Sequence, residues 1–194
     1  MRLPLILALC ASPLAAQDAD LRGPDAFADL QDEATRSAAI FEEMAKVLTH
    51  PRCLNCHPVG DRPTQGDAMT PHMPPITRGP ENEGPDGLHC TACHGDENRD
   101  FLGYPGSLPG HAPWHLAPVS MGWQGLTNGE ICAQLKDSAR NGGRDLEALH
   151  EHNATDGLVG WGWEPGTGRT PAPGSQEIFG ALTRAWIDSG AACP

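Results

Sequence analysis

Cys53, Cys56 and His57 fall in the stretch THPRCLNCHP, and the same C-x-x-C-H order returns 37 residues later as LHCTACHG, with Cys90, Cys93 and His94. Two thiols and a following imidazole, twice, restrict what this chain can fold around. Three arrangements use such spacing. A four-cysteine zinc site accepts C-x2-C…C-x2-C but leaves both histidines without a role. Redox-active dithiols need a strand-to-helix junction, whereas the second motif stands in irregular sequence. The third arrangement is c-type haem, for which C-x-x-C-H is the attachment signature. The two thiols add to the haem vinyls as thioethers, and two intervening residues let one turn of chain span them. The histidine then lies under the iron as proximal ligand. The motifs therefore predict two covalent haems c, held by Cys53/Cys56 and Cys90/Cys93 with His57 and His94 on iron.

The composition agrees. The 194 residues include 23 Gly and 19 Pro, with four Phe, one Tyr and five Trp. Gly plus Pro is roughly 22%, against about 12% in average usage. Much of the chain is therefore loop, and its side-chain core is lean. Residues 58–126 are dominated by turn signals, and a loop of that length in a compact domain is uncommon unless it wraps something. Two large flat apolar groups would supply the surface to bury.

The expected fold is mainly α, a loop-rich c-type cytochrome fold with two covalently bound haems. Apolar residues at steps of three and four predict a helix over 24–49, ended by Pro51. Haem loops follow over 50–126. Helices occupy 127–194: one opened by a Thr127/Glu130 capping box, a shorter one over 144–152, and a last one from Ser175 with Gly190 at its end. The first 16 residues have the layout of a secretory signal peptide, with a single Arg, an apolar run and small residues before cleavage after Ala16. A lipoprotein reading would cleave at Cys10, but Leu9 is bulky where a small residue is required. Residues 17–194 form a single domain. No segment approaches the roughly 20 apolar residues of a membrane span. The expected location is the periplasm.

Cys132 and Cys193 remain as an even pair in an oxidising compartment, which predicts a disulfide; two unrelated thiols are the other reading. The formal net charge is −12 and Lys46 and Lys136 are the only lysines. Such a surface repels nucleic acid and anionic membranes. The sixth position of each iron decides between electron transfer and substrate binding. The residues available are Met69, His72, Met73, His111, His115, Met121, His150 and His152. His72 stands in the rigid TPHMPP, and Met121 in WHLAPVSMGW between two Trp; His115 and His152 follow them. His50 and His89 lie too close to their own motifs. Chain reach allows His72 to complete the iron of His57, and Met121 that of His94.

Around these motifs the stretches RGPENEGPDGLHCTACH, WHLAPVSMGWQGLTNGEICAQLKDSARNGG, GWGWEPGTGRTPAPG and LTRAWIDSGAACP resemble a family of small exported dihaem cytochromes known as isoquinoline 1-oxidoreductase subunits. The resemblance runs from about residue 37 to 194. It implies haem attachment at Cys53, Cys56, Cys90 and Cys93, axial ligation by His57 and His94, and further ligands among His72, His115, Met121 and His152. The positions of Cys132 and Cys193 match as well. It also implies an electron-transfer protein rather than an enzyme in its own right, with no catalytic residues. Such a protein takes electrons from redox partners such as a periplasmic molybdenum hydroxylase and passes them to the respiratory chain. The alternative is a peroxidase-like dihaem enzyme with one open iron.

Overall fold

The computed structural model describes residues 21–103 and 106–194. The signal sequence, its cleavage point after Ala16 and Cys10 lie outside the described residues. Asp32 starts the first helix. Its carboxylate accepts from the Thr35 N–H at 2.8 Å, satisfying one of the free donors of the first turn. This divides the helix expected over 24–49. Pro24–Phe27 is a separate 3₁₀ turn, and α1 runs Glu33–Leu48. Phe27 is buried and in helical phase with α1, so its spacing carries the periodic signal across a break that the cap imposes.

The buried face of α1 carries Ile40, Phe41, Met44, Val47 and Leu48. It meets α6 (Gln176–Asp188), whose buried face carries Phe179, Leu182 and Trp186. The Phe41 and Trp186 rings stand 5.3 Å apart, and the Ser37 hydroxyl donates to the Trp186 carbonyl at 3.2 Å. The expected pairing of first and last helices is thus present. Glu43, 1% exposed, shares this buried region. Burial pushes its pKa up, but hydrogen bonds from Arg22 and Lys46 outweigh that and hold it below the usual range.

The α3 helix (Asn128–Leu135) opens on the expected capping box, with both reciprocal Thr127–Glu130 bonds. Cys132 on α3 is bonded to Cys193 in the tail, with Cα atoms 5.6 Å apart. Next, α4 (Leu146–Thr155) is capped by Asp145, and the one-turn α5 (Gly157–Gly160) by Asp156. α4 lies directly on α6: a Cβ added at Gly180 would sit 2.6 Å from the Ala154 Cβ, so the glycine sets the approach. The last helix begins at Ser175, as read from sequence, and the chain leaves it at Gly190 with φ +91°.

The described residues of the intervening region include the single-turn α2 (Pro51–Leu54), 3₁₀ turns at Cys90–Ala92 and Val119–Met121, and two hairpins of two-residue strands. β1 (Thr64–Gln65) pairs antiparallel with β2 (Thr70–Pro71), and β3 (Arg99–Asp100) with β4 (Ser107–Leu108). The protein is mainly helical and loop-rich. Arg78, 6% exposed, holds the loops together. Its guanidinium donates to the carbonyls of Pro58, Gly60 and Ala117 and to the Asn82 side chain. No helix among the described residues is long and apolar enough to cross a membrane.

Candidate functional site

The two C-x-x-C-H segments adopt the same backbone turn in different surroundings. In the first, α2 begins at Pro51 and the His50 ring accepts from the Arg52 N–H at 3.3 Å. The amides of Cys56 and His57 both donate to the Cys53 carbonyl, each at 3.1 Å. In the second, a 3₁₀ turn covers Cys90–Ala92, and the amides of Cys93 and His94 both donate to the Cys90 carbonyl at 3.2 and 2.9 Å. Residues three and four apart on such a turn share a face, so each turn presents two thiols and an imidazole together.

The imidazoles are held alike. His57 Nδ1 donates to the Met121 carbonyl at 2.8 Å, and His94 Nδ1 to the Pro109 carbonyl at 2.7 Å. A carbonyl can only accept, so both rings carry the proton on Nδ1 and leave Nε2 as a lone pair. Each ring also lies on a tryptophan. His57 stacks on Trp123 with centroids 3.5 Å apart and planes 10° apart; His94 stacks on Trp114 at 4.8 Å and 18°. Burial pushes the His57 pKa down to about 3, and the Met121 hydrogen bond only partly opposes it. Burial likewise lowers His94. Both are therefore neutral donors near pH 7. Burial raises the thiols, Cys53 to about 12 and Cys56 to about 11.

Two cavities open in front of these turns. The larger, about 610 Å³, is walled by Cys56, Cys90, Cys93, His94 and His72. The smaller, about 160 Å³, is walled by Cys53, Cys56, His57, His115, Met121 and His152. Arg52, Cys56, His115 and Trp161 line both, so the two spaces adjoin.

The further ligand residues are sorted differently from the expectation. His72 was expected on the iron of His57, but its ring lies 5.9 Å from that of His94, in the larger cavity. The His72 N–H is tied to the Pro63 carbonyl at 3.0 Å and its carbonyl is held by Arg62, which fixes the loop on that side. His72 Nδ1 donates to the Pro74 carbonyl at 2.9 Å, again freeing Nε2. Met121 was expected opposite His94, but it lies by His57, where its carbonyl is the acceptor for the imidazole. A residue that anchors a ring from behind is poorly placed to supply a ligand on the opposite face. In the smaller cavity His152 has the stronger geometry. Its Nδ1 is 3.1 Å from an Asp156 carboxylate oxygen, leaving Nε2 for the cavity. Burial, then Arg144, lowers the His152 pKa against the pull of Asp156. His115 borders both spaces with Nδ1 bonded to the Leu116 carbonyl. Met69 is exposed, Met73 is exposed at the edge of the larger cavity beside His72, His111 packs on Gly157, and His150, whose Nδ1 is 3.0 Å from an Arg184 nitrogen, lines neither cavity.

Sequence reasoning missed Arg52, Asp156 and Trp161. Only Arg52 had a signal, its place beside Cys53 on the same turn. The four-cysteine zinc reading loses ground, because no group of three or more His, Cys, Asp or Glu among the described residues is arranged to hold a metal ion.

The larger cavity suits the kind of group that the motifs imply. It is mostly apolar, and among its described lining residues are two guanidiniums, Arg52 and Arg169, and no carboxylate. In a chain of net charge −12 that is an inversion of the average. Arg52 Nε is buried without a partner. A flat apolar group bearing carboxylates would satisfy both features. No protein-family model matches the chain, and neither does any curated protein or solved structure.

Proposed function

We propose that the chain is an exported dihaem c-type cytochrome that carries electrons. The observation that carries this reading is the duplicated environment of His57 and His94: the same turn, an Nδ1–H fixed on a backbone carbonyl, and a stacked tryptophan. Cys53, Cys56, Cys90 and Cys93 would hold the two haems as thioethers. His57 and His94 would bind iron through Nε2, and His152 and His72 would supply further ligands. Bound haem supplies a one-electron ferric/ferrous couple at each site. The protein's part is to keep the four rings in one tautomer, to wall the sites with Trp114, Trp123 and Trp161, and to set the two cavities side by side at Cys56. Ligands held on both faces of an iron favour electron transfer over substrate binding. The resemblance noted above supports a molybdenum hydroxylase-type dehydrogenase as electron donor and the respiratory chain as acceptor.

Absorption spectra of both oxidation states, with and without carbon monoxide, test the assignment. Two six-coordinate low-spin haems whose ferrous forms do not take up carbon monoxide are expected. A five-coordinate ferrous haem that binds it readily would replace the carrier with the peroxidase-like enzyme.

A further inference from the structure

We infer that Arg52 is a shared electrostatic control on both redox centres, with Asp67 as its counterweight. The inference rests on the dihaem reading. The Arg52 side chain is 1% exposed, and its guanidinium carries a permanent charge. It lines both cavities, which none of the other charged side chains walling them among the described residues does: Arg169 borders the larger alone, Arg144 and Asp156 the smaller alone. Its Nη2 donates to Asp67 Oδ1 at 2.6 Å, while Nε remains buried and unpartnered. The charge is therefore only partly answered by protein.

Asp67 is differently placed. It is 46% exposed and is anchored by the Thr170 amide and hydroxyl, the latter at 2.7 Å. Water and salt screen an exposed carboxylate more than a sealed guanidinium. The pair thus acts on the cavities as a net positive charge. A positive charge beside an iron disfavours the ferric state, which has one positive charge more than the ferrous, and so raises the potential. Because Arg52 borders both sites, the effect falls on both, whereas a ligand substitution acts on one.

Spectroelectrochemical titration of the full holoprotein tests this with R52Q, R52K and D67N. R52Q is expected to lower both midpoint potentials. R52K, which keeps the charge, is expected to retain both near the wild-type values. D67N is expected to raise both, by less than R52Q lowers them, and its partial exposure makes it tolerant of substitution. Shifts in one potential only, an upward shift in R52Q, or D67N potentials unchanged would overturn the proposal while the wild type still gave two haem couples. A wild-type protein with no haem couple would overturn the dihaem reading and this proposal with it.

Discussion

His57 is fixed by three contacts of different kinds: a backbone turn below it, a carbonyl on Nδ1 and an indole on its face. His94 has the same three. His152 and His72 share the tautomer-fixing bond, to Asp156 and to Pro74, but the His72 ring meets the His94 ring rather than stacking on an indole. This difference gives the first prediction. Replacing His152 by Ala should leave both haems attached but open one iron, so that about half of the ferrous haem binds carbon monoxide; replacing His72 by Ala should open the other. D156N should loosen the His152 iron without abolishing ligation, since outer partners of metal-bound histidines typically account for ~10–100-fold in affinity. Carbon monoxide titration of the reduced variants checks this. Arg78→Ala leaves three carbonyls without their donor and should cost about 3 kcal/mol, read from denaturant midpoints. The two matching turns were legible because C-x-x-C-H places two thiols and an imidazole on one face by order alone. The pairing of distal residues was not. Chain reach from His57 permits His72 on either side, and the Pro63 and Arg62 bonds that decide it are contacts within a loop with no periodicity.

The helices were legible where side chains announce their ends. Thr127 with Glu130, Ser175 and Gly190 each lie where sequence reading put them. The start of α1 was not, because Phe27 continues the apolar phase across the break that Asp32 caps. At the α1–α6 contact, Phe41→Ala should destabilise the protein by about 3–5 kcal/mol, since the ring is fully buried against Trp186 and its loss leaves a cavity. The tail is held by more than its disulfide. The Trp186 indole donates to the Ala192 carbonyl at 2.9 Å, the Ala192 amide to Ser37 at 2.9 Å, and Lys136 to the Ala191 carbonyl at 2.7 Å. Replacing Cys132 and Cys193 together by Ser should therefore cost no more than the roughly 4 kcal/mol of loop-closure entropy, leaving a folded protein of lower denaturant midpoint.

For the whole molecule, a lean set of side chains encloses two adjoining cavities in an acidic shell. Composition alone pointed to this: loops over 58–126 needed something to wrap, although which residues would wall it depended on tertiary contacts. The buried imidazoles also set the acid response. His57, His94 and His152 have folded pKa values below the ordinary 6.5, so the unfolded chain binds more protons as pH falls. Their contribution is fully present above 6.5 and is lost progressively as the pH falls below it. Iron ligation acts with the same sign, because it also requires the neutral rings. Thermal unfolding midpoints should accordingly drop between pH 7 and pH 4. The central claim is the two covalent haems, and intact mass spectrometry of the protein tests it most directly. The mass should exceed that of the polypeptide by two haem groups that survive acid–acetone extraction. No excess over the polypeptide, or bound zinc in place of haem, would contradict the account.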